Sequence, residues 1–184
     1  MLKYIYSDLS RAVRYLPYGL ALGVPVAVFI VWLINRQRRK KQKEPLSWVP
    51  VVIFGIYLAV LLMIPFLSRE SGSSKGVIDM DLFSTWGIND RNNAFVVENV
   101  LLFIPYGFLC SWNFKWAKKL WKCTLFGAVT SFGIEFLQLV TRRGFFQIDD
   151  ILTNVLGTVI GWLVFRMIVL LFGPPQKKTE HEIR

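Results

Sequence analysis

FGIEFLQLVTRRGFFQIDDILTNVLGTVIGWLVF, residues 132–165, holds two apolar runs joined by a short basic turn, and each run carries ionisable groups. At helical pitch Ser131, Glu135, Gln138 and Arg142 advance by four, three and four residues and share one face. Beyond the turn, Asp150, Asn154, Gly157 and Gly161 do the same. Apolar runs of about 20 residues are membrane spans. Ionisable groups inside a bilayer cost about 2.5–3.5 kcal/mol on insertion scales, so they are shielded, paired or functional. The two runs are therefore expected to be neighbouring transmembrane helices with polar faces turned inward.

The rest of the chain has the same character. Of its 184 residues 54% are hydrophobic and only 18% charged, with a mean hydropathy of +0.44, where a soluble domain has about a quarter charged. Five apolar segments are expected to span: 15–34 and 47–67 without a charge, 94–112 with Glu98, 121–140 with Glu135, and 149–165, continuing past Arg166 to 172. The fold class is thus an all-α integral membrane protein of about five helices. Ahead of the first span, Leu2, Ile5, Tyr6, Leu9, Val13 and Leu16 repeat at helical spacing. Residues 1–14 read either as an amphipathic helix on the membrane surface or as an extension of the first span. Residues 15–172 form one transmembrane domain, and 173–184 a polar, disordered tail.

Charge sets the expected orientation. Lys and Arg number six in 35–46, four in 113–122 and three after Gly173, thirteen in all; the alternate connections hold three, three and two, or eight. The richer side is expected to be cytoplasmic, with the N-terminus out and the C-terminus in. A four-span arrangement, with the first segment lying on the membrane, would reverse the N-terminus. The net charge of +10 arises from bases flanking apolar runs rather than lining one face, which excludes nucleic acid as a partner. Cys110, Cys123 and His181 make no zinc or haem constellation, so neither cofactor nor metal is expected. Both cysteines fall near cytoplasmic ends and read as free thiols. The oligomeric state is open.

With this topology Glu98 and Asn99, Glu135 and Gln138, and Asp149, Asp150 and Asn154 all come to the outer leaflet. Arg142 and Arg143 sit in the turn between the last two spans, and Gly157 and Gly161 continue the acidic stripe as a small-residue face that permits close helix approach. Pro105 removes the helical partner of the Leu101 carbonyl and is expected to kink the third span. The apolar stretch VIDMDLFSTWG, residues 77–87, is expected to pack back on the membrane surface. A plain reading pairs the arginines with Glu135 and Asp150 as structural ion pairs, with Asp149–Asp150 capping a helix. A functional reading starts from four carboxylates against two arginines, an acidic surplus of the kind that marks active or binding sites.

NVLLFIPYGFL, residues 99–109, together with 132–165, closely resembles the VanZ-like family, whose members combine an Asn-led LLF-P-GF helix, an IE-x-x-Q helix, an Arg-containing turn and a DD-x-x-x-N segment. Carried across, the family's polar positions are Asn99, Glu135, Gln138, Arg142 or Arg143, Asp149, Asp150 and Asn154. Many relatives have an acidic residue where this chain has Gln147. The resemblance implies a bacterial inner-membrane protein connected with low-level resistance to teicoplanin, a lipoglycopeptide. Two functions follow for a site so placed. It could bind the drug or a lipid-linked peptidoglycan precursor among the membrane lipids, through Glu98, Asn99, Glu135, Gln138, Arg142, Arg143, Asp149, Asp150 and Asn154. Alternatively, Glu135, Glu98, Asp149 or Asp150 could act as general acid or base on an envelope substrate.

Overall fold

The computed structural model describes residues 1–67 and 77–172, apart from the side chains of residues 11, 12 and 65–67. The tail after 172 and the first part of the third connection lie outside the described residues. Six α-helices account for nearly all of the rest: α1 (Leu2–Val13), α2 (Leu16–Lys40), α3 (Trp48–Leu67), α4 (Asp90–Asn113), α5 (Leu120–Val140) and α6 (Ile148–Phe172). Two-residue strands β1 (Ile78–Asp79) and β2 (Phe146–Gln147) pair in parallel, and a 3-10 turn, Lys115–Lys118, links α4 to α5. Helices α2, α4, α5 and α6 are long and apolar enough to cross a membrane. The chain is an all-α membrane protein, as its hydropathy requires. Helix α3, 20 residues without a charge, lies between α2 and α4.

Small residues decide how the helices pack. Without water to drive apolar surfaces together, close backbone approach does much of the work in a bilayer. Gly157 abuts the Val100 carbonyl and Gly161 the Ile104 carbonyl, while Gly107 meets the backbone of Thr158. Because 100 meets 157 and 104 meets 161, α4 and α6 run parallel. Gly127 of α5 faces the Thr158 side chain and Ser131 the Asn154 amide, so α5 is antiparallel to both. Gly23 of α2 sits against Gly55 and Ile56 of α3, again antiparallel. Tyr57 donates to the Leu102 carbonyl, tying α3 to α4 one residue past the Leu101 carbonyl that Pro105 leaves without its helical donor.

These contacts sort the helix ends. One end gathers the starts of α4 and α6 and the finish of α5, and with them every acidic residue of the spans. The other gathers the basic connections 35–46 and 113–122: the Asn113 amide at the close of α4 reaches the Pro50 carbonyl at the head of α3, and Trp162 reaches the Lys118 carbonyl. Cys110 and Cys123 are buried free thiols.

Helix α1 is a separate element, divided from α2 by a turn at Arg14–Tyr15 rather than continuous with it. It lies across the start of α4, where Asp8 pairs with Arg91 at 2.6 Å and the Met1 amine with Asp90 at 2.9 Å. Arg91 stacks over Tyr4 and Phe95, and Ile5 is buried. Leu2, Tyr6, Leu9 and Val13 remain exposed along one stripe, the amphipathic pattern read from the sequence.

Candidate functional site

At the acidic end three helices bring polar side chains into an apolar bundle. Glu98 of α4, Glu135 and Gln138 of α5, and Asp149 and Asn154 of α6 are all buried, and Asn99 and Asp150 are half-buried. The helical steps explain this: Ser131, Glu135 and Gln138 share the inward face of α5, and Asn154, Thr158 and Gly161 that of α6. Asn99 donates from Nδ2 to Asp150 Oδ1 at 2.8 Å, tying α4 to α6. Asn154 donates from Nδ2 to Ser131 Oγ at 2.8 Å, tying α6 to α5. The Gln147 backbone N–H donates to Glu135 Oε2 at 3.3 Å. Glu98, Glu135, Asp150 and Arg143 have further contacts besides these.

The two arginines part company. Helix α5 ends at Val140, and Arg142 adopts a left-handed conformation (φ 52°) with its side chain exposed. The chain therefore turns away before Arg142 can join the face that Ser131, Glu135 and Gln138 define. Arg143 is half-buried, and its N–H closes the helix end on the Gln138 carbonyl at 3.0 Å.

Asp149 has a specific structural task. Its Oδ1 accepts from the Phe83 N–H at 2.7 Å and its Oδ2 from the Thr85 N–H at 3.0 Å. Both oxygens thus grip the connection before α4. The grip holds Phe83 at φ 61°, a left-handed conformation costly for a bulky residue. A second tether reinforces it. Asp79 accepts from the Asp81 N–H at 3.0 Å, from Ser84 Oγ at 3.1 Å and from Gln147 Nε2 at 3.5 Å. The β1–β2 pair adds the Phe146 N–H to Val77 carbonyl bond at 3.0 Å. Residues 77–88 form a strap across the acidic end, with Met80, Leu82, Phe83, Trp86 and Ile88 exposed. The hydrogen bond from the Asp81 N–H, first among its causes, lowers the Asp79 pKa below the ordinary carboxylate value.

A model of the VanZ/LLP1 family matches residues 27–171. The chain belongs to the VanZ/LLP1 family. It is similar to Protein VanZ of Enterococcus faecium, at 36% identity over 66 residues, which is 36% of this chain and 40% of that protein. The match therefore spans well under two thirds of that relative. No solved structure matches.

Of the polar positions that VanZ/LLP1 resemblance marks in this chain, the fold brings Asn99, Glu135, Gln138, Asp149, Asp150 and Asn154 together at one end, with Glu98 among them. Arg142 stands outside the group, and Arg143 is at its edge. Sequence reasoning missed the partners of Asp149 and the role of Gln147. The former are backbone groups, which carry no sequence signal. For Gln147, its position one residue before Ile148, the start of α6, was the available clue.

The Asn154 carboxamide is only half satisfied. Asn154 is 5% exposed; its Nδ2 is used by Ser131, and its Oδ1 is buried without a hydrogen-bond donor among the described residues. A buried acceptor left unsatisfied costs about 1–3 kcal/mol. The cluster is thus rich in acceptors, and at Asn154 it holds one that no donor among the described residues satisfies.

Proposed function

We propose that the acidic end faces outward from a bacterial cytoplasmic membrane and that its buried polar cluster recognises an envelope molecule presented from the outer leaflet. The carrying observation is the unsatisfied Asn154 Oδ1 inside a cluster dominated by acceptors. Such a cluster favours a ligand with amine or amide N–H donors, and the surrounding apolar helix faces suit an acyl chain. A lipid-linked wall precursor or a lipoglycopeptide such as teicoplanin combines these chemistries. Asp149, whose oxygens hold the strap, acts as a positioning residue, which leaves Glu98, Glu135 and Asp150 as the carboxylates for the ligand. The excess of bases at the opposite end supports the orientation.

The test is Glu135→Gln, which keeps shape and hydrogen bonding but removes one charge. The expected result is loss of teicoplanin tolerance in an expressing host while protein level in the membrane is unchanged. Loss of tolerance in step with loss of protein would make the cluster a scaffold. Turnover of a lipid-linked substrate by the purified wild-type chain, abolished by the same substitution, would replace recognition with acid–base catalysis.

A further inference from the structure

The basic end carries a groove that the acidic site does not involve. It has a volume of about 360 Å³ and lies between the head of α3 and the last turn of α4, walled by Leu46, Val49, Pro50, Val51, Trp112 and Asn113. Its depth in the membrane is marked by tryptophans. Trp48 and Trp112 are 43% and 47% exposed at these helix ends, as aromatic residues of the headgroup belt are. The loop forming its edge is fixed rather than loose: Asn35 donates to the Leu46 carbonyl at 3.2 Å and accepts from its N–H at 2.7 Å.

Charge around the groove is one-sided. Arg36, Arg38, Arg39, Lys40, Lys41 and Lys43 precede it, and Lys115, Lys118, Lys119 and Lys122 follow on the next connection, with Glu44 the single acid among them. Among the described residues, none of these ten bases is paired with a carboxylate; Arg38 spends its Nε on the Glu44 carbonyl, and Arg36 and Lys122 lie over Trp32 and Trp121. Asn113, which lines the groove, also holds an acceptor in want of a donor. Asn113 Nδ2 donates to Pro50 and Leu109 carbonyls at 3.0 and 2.8 Å, while its Oδ1 is buried without a donor among the described residues.

We propose that this groove seats an anionic phospholipid whose headgroup carries a hydroxyl. The phosphate lies among the bases, the hydroxyl donates to Asn113 Oδ1, and an acyl chain follows the apolar wall of α3 and α4. Bases clustered just outside a span attract anionic lipid in general; the walled groove and its orphaned acceptor convert that attraction into a defined site. The proposal is independent of the reading given for the acidic end.

The experiment uses the full chain in a neutral detergent, with thermal unfolding and native mass spectrometry as readouts. The probes are phosphatidylglycerol, phosphatidic acid, phosphatidylcholine and inorganic phosphate. Phosphatidylglycerol is expected to raise the melting temperature and give a one-to-one adduct, preferred over phosphatidylcholine by at least about fivefold, the worth of one base at a charged surface. It should also exceed phosphatidic acid, which lacks the added hydroxyl, and inorganic phosphate should have no effect. Val49→Trp, at an exposed wall position, fills the groove and should abolish the one-to-one preference. Arg39→Gln/Lys40→Gln/Lys41→Gln, at three exposed positions, should weaken it and serves as well should Val49→Trp fail to fold. Equal stabilisation by phosphatidylcholine, or by phosphate alone, would overturn the proposal. So would an undiminished preference in a folded variant of either kind.

Discussion

Substituting alanine at Gly161 tests the packing on which the acidic cluster depends. A Cβ there would sit 2.8 Å from the Phe108 nitrogen and 2.9 Å from the Ile104 carbonyl carbon, and closer still to the Ile104 oxygen. Comfortable contact between carbon atoms begins at about 3.5 Å, so α6 must retreat by at least about 0.6 Å. Every atom in the way is backbone, and no flexible side chain can yield. Overpacking costs about 1–3 kcal/mol, and rigid neighbours place this case toward the upper end. At about 2–4 °C per kcal/mol for a chain of this size, Gly161→Ala should melt roughly 4–12 °C lower. The assay is thermal unfolding of the purified protein in neutral detergent, followed by tryptophan fluorescence. Gly133→Ala is the control: a Cβ there meets nothing within 4 Å, and alanine favours helix over glycine by about 1 kcal/mol, so its melting temperature should hold or rise. If Gly161→Ala melted within about 1 °C of wild type, α4 and α6 would not meet at that point and the reasoning would fail.

Three more outcomes follow from the same geometry. Asp149→Asn puts an N–H donor where one strap N–H now finds an acceptor, which should cost about 1–3 kcal/mol and open residues 77–88 to limited proteolysis; an unchanged cleavage pattern would refute the grip. In a variant lacking Cys110 and Cys123, single cysteines at Gln42 and Ile88 should be labelled from opposite sides of the membrane; labelling of both from one side would refute the separation of basic and acidic ends. The Asp79 carboxyl is held below its ordinary pKa by the Asp81 N–H, so its contribution is present above the ordinary carboxylate value and lost as pH falls through the lowered one. Strap proteolysis should accordingly rise under acid conditions, and Asp79→Asn should remove that pH dependence.

The helices were legible because hydropathy and length act locally: each expected segment falls on a helix, with ends moved by a few residues where polar turns continue it, as from residue 34 to Lys40 in α2, and among the described residues four of the five are long and apolar enough to cross a membrane. The gathering of Glu98, Glu135, Asp149 and Asn154 was legible too, through span parity and helical period. The strap was not. Its interactions join residues 77–85 to 146–149 through backbone N–H groups and two-residue strands, and no periodicity announces those. Arg142 was placed on a face by its spacing, but spacing holds only while the helix does. The left-handed turn after Val140 ended it. The link of Asp8 to Arg91 likewise joins distant stretches that only the folded chain brings near.

The glycine seam between α4 and α6 divides the acidic cluster into groups carried on a close-packed helix pair and groups carried on a helix joined to it differently. Val100 over Gly157 and Ile104 over Gly161 repeat at the same four-residue step, so the two helices cannot slide past one another by less than a full turn of about 5.4 Å. The seam thereby fixes the relative placement of the groups the two helices carry, Glu98, Asn99, Asp150 and Asn154. Helix α5 is held otherwise: Gly127 cradles the Thr158 side chain nearer the basic end, while toward the acidic end its links to the rest include exchangeable hydrogen bonds from Asn154 and the Gln147 N–H. Glu135 and Gln138 therefore belong to a helix joined to the α4–α6 pair by side-chain packing nearer the basic end and by polar links at the acidic end.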